Sequence, residues 1–193
     1  MLTRAFIAIE LPARVQSAIA QVVQPLQRMF PKPRIRWVAA GNVHLTLKFL
    51  GEVPGGDIDR LSAALSPSLH PLSPFPISFA GLGAFPTPRR ARVLWIGLNA
   101  PPLLGELVET IESIAVREGF EPEPRPFSPH LTVGRVSQDF SMDDHSRLSR
   151  ELDASRVGTL GSMVVEAVII YKSELKPGGS IYTPLHTLPL KSI

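Results

Sequence analysis

Cysteine is absent from the chain, which excludes a disulfide framework, a thiolate nucleophile and any metal centre held by sulfur. A reducing compartment fits that absence. Charged residues are sparse, 19% against 44% hydrophobic, so the chain is not a disordered acidic or basic tail. No apolar run approaches a membrane span, and the stretch from Leu2 to Ile9 is too short for a signal peptide. A cytoplasmic protein with no membrane association is expected. The glycine-rich phosphate loops of nucleotide-binding enzymes are missing too, and Lys176-Pro177-Gly178-Gly179 reads as a hairpin turn rather than a phosphate cradle.

What is present describes an ordinary folded chain of 193 residues, long enough to bury a core without staples. One folded unit over residues 1–193 is expected, most simply a monomer. The net charge of +3 and the pI of 9.6 favour anionic partners only mildly. A duplex binder would carry a stronger basic stripe, and a small phosphate-bearing ligand suits this balance better.

Apolar spacing predicts the elements. Leu2 to Ile9 reads as a buried strand, and Pro12 suits the first turn of a helix with Val15, Ile19, Val22, Leu26 and Met29 on one face. Pro25 should loosen that helix, and Pro31 and Pro33 should end it. Ile35 to Val38 is a short strand, and Val43 to about Leu50 a longer one that stops at Gly51. A second helix starts near Asp57 on Ile58, Leu61 and Leu65, and the proline-dotted segment from Pro67 to Pro76 reads as a surface connection. Strands follow at Ile77 to Phe85 and Arg92 to Leu98, then a helix from Leu103 to Glu118 with its stop at Gly119. Four prolines between Glu121 and Pro129 make a stiff approach to a strand beginning at His130. A short helix from Asp143 to Leu152, one apolar strand from Met163 to Tyr171 and a last strand from Ser180 to His186 complete the chain. This irregular order points to an α+β fold with antiparallel sheets.

One pattern occurs twice. His44-Leu45-Thr46-Leu47 and His130-Leu131-Thr132-Val133 each put a threonine two residues after a histidine, with apolar residues between and after. Strand alternation then points each histidine and its threonine to one side and the apolar residues to a core. Two of the five histidines carry the pattern, which chance would produce in about 2% of such chains at average threonine usage. Near neutral pH one imidazole can be charged while the other is not, so the pair can divide acid and base work. Each hydroxyl can donate to a phosphoryl oxygen. If the two strands lie side by side, this set suits in-line displacement at a phosphodiester. The competing use of two histidines is a metal site, which needs three or four ligands; the chain offers neither cysteine nor a carboxylate at ligand spacing, and no metal or cofactor is expected.

These motifs resemble the signatures of the 2H phosphoesterase superfamily, and specifically its RNA 2',3'-cyclic phosphodiesterases, also called 2'-5' RNA ligases. Phe6 to Pro12, His44 to Glu52, Phe85-Pro86 with Arg92 to Trp95, Pro129 to Arg135, and Ser173 and Leu175 followed by Gly179 and Tyr182 resemble family stretches in the family's order. The resemblance implies two pseudo-symmetric lobes around a central cleft, helices flanking the sheets, and one histidine strand from each lobe. The implied substrates are RNA ends or nucleotides bearing a 2',3'-cyclic phosphate, opened to a 2'-phosphate without metal, with reverse ligation as a further capacity. By the same resemblance His44 is the general acid, His130 the general base, and Thr46 and Thr132 hold the phosphate. Arg135 matches a family arginine, yet simple alternation places it opposite His130; a bulge near Gly134 would turn it into the cleft. Tyr182 and Phe127 could stack on a base. Two other readings stay open: a binding module that holds RNA or a nucleotide without turnover, and the same chemistry on a small cyclic nucleotide.

Overall fold

The computed structural model describes residues 2–177 and 179–191. Its elements are β1 (Leu2–Glu10), α1 (Ala13–Met29), β2 (Ile35–Trp37), β3 (His44–Pro54), α2 (Gly55–Leu69), β4 (Phe75–Phe85), β5 (Val93–Asn99), α3 (Leu103–Arg117), β6 (His130–Val136), α4 (Met142–Ala154), β7 (Thr159–Val165), β8 (Ala167–Lys176) and β9 (Gly179–Pro189), with 3-10 turns at Ala40–Asn42 and Pro88–Arg90. The turn expected at Lys176 to Gly179 includes Gly178, which lies outside the described residues.

Every strand pair is antiparallel. The order β7-β4-β5-β6-β3-β1-β8-β9 sets two four-stranded halves edge to edge, and they meet between the two histidine strands through one residue pair, Leu45 with Leu131. The short strand β2 extends the line of β3 along β6. One face of each half packs on the helices. Val15, Ile19 and Leu26 of α1, Leu61 and Leu65 of α2, and Leu107 and Ile111 of α3 share a single core with Ile7, Ile9, Leu45, Ile96 and Leu131 from the strands. The opposite face is open, and in the β1–β8 half it is covered by the separate cluster Phe6, Ala8, Ile169 and Tyr171. The α+β antiparallel architecture with two lobes is as expected.

Three boundaries differ from the sequence reading. The second helix begins at Gly55 and runs through Pro67 to Leu69, and β4 starts at Phe75, so the expected connection from Pro67 to Pro76 shrinks to residues 70–74. Burial of Leu65 and Leu69, both 0% exposed, offsets the hydrogen bond that Pro67 cannot donate. Pro76 is tolerated in β4 because it lies past the end of β5, where only β7 pairs with it. The apolar run from Met163 to Tyr171 is two strands rather than one: the chain leaves β7 at one end of the sheet and crosses at Glu166 to β8 in the other half. Val165 and Val168 enter the same core, so hydrophobicity continues without a mark where the chain changes partner. The histidine strand β3 also continues past Gly51, whose φ of +78° beside a register shift marks a bulge and not an end.

Candidate active site

Leu45 and Leu131 face each other and are both 0% exposed. Antiparallel alternation from that pair puts His44 beside Thr132 and Thr46 beside His130, all four on the open face. The two histidines are then diagonal neighbours, about 7–8 Å apart at the backbone. A phosphorus atom centred over the four side chains has an imidazole on each of two opposite sides.

The fourth residue of each motif is the extra residue of a bulge. Along β1 and β3, Ala8 pairs with Thr46 and Ile7 with Lys48, skipping Leu47. Along β5 and β6, Trp95 pairs with Thr132 and Leu94 with Gly134, skipping Val133. Each bulge reverses the alternation that follows. In β3 this turns Lys48 inward, where it is 3% exposed and donates to Glu112 Oε2 at 2.7 Å and to the Glu121 carbonyl at 2.9 Å. Burial works against the Glu112 charge, yet the hydrogen bonds from Lys48 and from the Glu123 amide hold its carboxyl below the usual range. That network ties the first histidine strand to the proline-rich segment leading into the second. The next residue, Phe49, returns to the open face and is 57% exposed.

In β6 the same device settles Arg135. Val133 is buried and a Cβ on Gly134 would meet Ile35 Cγ2 and the Trp37 ring, each at 3.1 Å; both residues therefore face the core. Arg135 pairs with Val93, and Val93, Trp95 and Gly97 lie on the face of β5 that meets Arg135, Thr132 and His130. Arg135 thus shares the face of His130 and Thr132, contrary to simple alternation.

Each histidine is oriented by a carbonyl two residues before it. His44 Nδ1–H donates to the Asn42 carbonyl at 2.8 Å, and His130 Nδ1–H to the Ser128 carbonyl at 2.7 Å. A carbonyl can only accept, so the Nδ1 proton is fixed and Nε2 is the atom left for chemistry: an acceptor when the ring is neutral, a donor when it is charged. Asn42 is itself anchored through Nδ2 to the Ser180 carbonyl at 2.6 Å.

Their surroundings differ. The His44 ring stacks on Phe6 at 4.7 Å and 25° and meets the edge of Tyr182 at 5.2 Å, while Phe6 also stacks on Tyr171. Burial in this aromatic cage lowers the His44 pKa from 6.5, against the opposing pull of the Asn42 carbonyl. Tyr171 is pushed up to about 12 by burial and by the nearby Glu10 carboxylate. His130 instead meets one ring edge-on, Phe85 at 5.1 Å, which in turn touches Trp95 at 5.3 Å. A cavity of about 260 Å³ opens beside His44 between Asn42, Glu10, Tyr171 and Tyr182. Phe127 lies with Pro129 in a second hollow at the end of β5.

The structure therefore brings His44, Thr46, His130, Thr132 and Arg135 to one face and puts Tyr182 against His44. Sequence reasoning missed Phe6, Phe49, Phe85 and Trp95. Phe6 lies in the run Ala5 to Ile9, which is buried on both faces, so alternation gave no sign of which side it takes. Among the described residues no group of three or more histidine, aspartate or glutamate side chains could hold a metal ion.

Two oriented imidazoles and two hydroxyls on one open sheet face, contributed by two similar half-sheets, make the arrangement of a two-histidine phosphoesterase. The LigT-like phosphoesterase family model matches the chain twice in succession, over residues 9–95 and 96–182, one match for each histidine motif. The RNA 2',3'-cyclic phosphodiesterase of Methanothermobacter thermautotrophicus is 36% identical over 190 residues, covering 98% of this chain and 100% of the relative. That of Escherichia coli is 33% identical over 183 residues, covering 94% and 93%. Among solved structures, E. coli LigT complexed with 3'-AMP superposes with a TM-score of 0.76 at 31% identity over 100% of both chains, and a Thermus thermophilus protein with 0.74 at 28% over 98% of both. The chain belongs to the LigT-like phosphoesterase family.

Proposed function

We propose that the protein is an RNA 2',3'-cyclic phosphodiesterase, opening a terminal cyclic phosphate to a 2'-phosphomonoester by two-histidine acid and base catalysis. The observation that carries this reading is the diagonal placement of His44 and His130 about Leu45 and Leu131, with both Nδ1 protons fixed on backbone carbonyls. Relatives that cover nearly the whole chain carry that activity in their names, and E. coli LigT accommodates 3'-AMP.

Thr46 and Thr132 donate to the non-bridging phosphoryl oxygens, and Arg135 adds charge to the same face. His130 Nε2 takes a proton from water as the water oxygen attacks phosphorus. The bond from phosphorus to O3' breaks in line, and His44 Nε2–H delivers a proton to that oxygen. For this His44 must be charged, although burial in the aromatic cage keeps it neutral more readily than usual. The anionic phosphate supplies the missing stabilisation, so substrate binding and proton uptake by His44 are coupled. With a 5'-hydroxyl in place of water, the same residues join the 2',3'-cyclic phosphate end to that hydroxyl through a 2'-5' bond, His130 taking the hydroxyl proton and O3' again leaving as its hydroxyl. One chain supplies every group named, so a monomer with both half-sheets acting as one unit suffices, and RNA ends in the cytoplasm are the natural substrate. No helix among the described residues is long and apolar enough to cross a membrane.

The test is incubation with a short RNA ending in a 2',3'-cyclic phosphate, with chelator present, and identification of the new end. A 2'-phosphate is expected. A 3'-phosphate would mean that the wrong bond breaks, and loss of turnover on chelation would bring a metal into the mechanism. An end that stays cyclic although the RNA binds would favour a binding module.

A further inference from the structure

The strand β2 places a second arginine where nothing in the two-histidine chemistry asks for one. Arg36 lies directly across from Arg135 in the β2–β6 ladder. Its neighbours Ile35 and Trp37 pack on the core, Ile35 at 0% exposure, so Arg36 takes the open face that Arg135 also takes. Two like charges directly opposite in an antiparallel pair repel and weaken the sheet. Neither guanidinium forms an ion pair or hydrogen bond among the described residues, whereas the nearby Arg34 is paired with Asp144. An unneutralised cation pair next to a phosphoryl-transfer site is a site for an anion, and guanidinium forks match phosphate oxygens two at a time.

Its position says which anion. From Thr132 the strand advances by two pleat steps to Arg135, about 7 Å, comparable with the spacing of successive phosphates on a single strand. The step runs toward the His44 side of the site, because Thr132 is beside His44 and Thr46 beside His130. With His44 protonating O3', the ribose of the terminal nucleotide lies on that same side. We propose that Arg36 and Arg135 together form a second anion site that holds the phosphate on the 5' oxygen of the terminal nucleotide. This rests on the reading of His44 as the acid, and it makes the protein selective for cyclic-phosphate ends that carry a 5' phosphate over bare nucleoside cyclic phosphates.

Three substrates test it: a nucleoside 2',3'-cyclic phosphate, the same compound with a 5'-phosphate, and a dinucleotide with the cyclic end. The wild-type protein should turn over the second and third with kcat/KM about tenfold above the first, and Arg36→Gln should erase most of that advantage through KM. As a check that does not depend on any variant folding, log KM for the 5'-phosphorylated compound should rise with log salt more steeply than for the bare one, by about 0.7 for the added phosphate contact. Equal kcat/KM for the first two substrates, equal salt slopes, or equal losses by Arg36→Gln on all three would overturn the second site while leaving the two-histidine reading intact. No turnover of any of the three by the wild-type protein would remove that reading, and the second site with it.

Discussion

Each half of the sheet carries the same histidine device and surrounds it differently. Both strands fix Nδ1 on the carbonyl two residues back and skip their motif's fourth residue as a bulge. Around that common frame the packing is exchanged. Across from Thr46 stands Ala8, backed by Ile169, while across from Thr132 stands Trp95, backed by Gly83. The large residue moves from one strand to its neighbour. After the bulge one half presents Phe49 to the open face and the other presents Arg135. His44 ends up caged between Phe6 and Tyr182 with a lowered pKa, whereas His130 meets the edge of a single ring among the described residues, that of Phe85. A near-duplicate scaffold thus yields two histidines in different surroundings, which is what a division into acid and base requires.

The largest test breaks both copies of the device. His44→Ala and His130→Ala should each lower kcat by about 10²- to 10⁴-fold, and the double variant should be little worse than the poorer single one, since the two act as a unit. Steady-state kinetics on a cyclic-phosphate RNA measures this, and near-full activity in either single variant would end the acid and base reading.

The exchanged packing gives a smaller effect. A Cβ on Gly83 would sit 2.3 Å from Trp95 Cζ2, so Gly83→Ala must displace the indole that backs Phe85. A loss of about 1–3 kcal/mol is expected for such overpacking, with activity falling further than stability alone explains because Phe85 holds the His130 ring. Chemical denaturation beside turnover tests it, and a variant as stable as the parent would show that the indole is free to move.

The smallest effect sharpens the contrast in surroundings. Replacing Phe6 by Leu opens the cage and should raise the His44 pKa back toward 6.5, visible as a shifted imidazole titration by NMR; an unchanged titration would show that Phe6 is not the source of the burial. The same depression shapes stability. His44 and His145 both have folded pKa values below 6.5, His145 through burial and then through the charge of Arg92. At pH values between the folded and unfolded pKa the unfolded chain binds more protons, so stability rises with pH there. Their contribution is complete above about pH 6.5 and is lost as pH falls through the folded values. Thermal midpoints should therefore drop as pH falls from about 7.5 to about 5.5, and by less in the Phe6→Leu protein.

Much of this was legible in the residues. The helical stripes Val15, Ile19, Leu26 and Leu104, Leu107, Ile111 are local periodicities, and each of these residues is buried. The two His-x-Thr motifs put their polar members on one face because a strand has a period of two, and the structure places all four there. Local pattern could not show where that period breaks. The bulges at Leu47 and Val133 arise from pairing with β1 and β5, strands distant in sequence, and they alone send Lys48 inward and Arg135 outward. Nor could it show the split at Glu166, because both flanking strands bury into one core and the hydrophobic run does not change there. The sequence by itself determined the elements, the paired motifs and the chemistry those side chains allow, since these depend on residue type and short-range spacing. The tertiary structure decided the register between the halves, the aromatic cage that sets His44 apart from His130, and the meeting of Arg36 with Arg135, since each depends on which strands lie side by side.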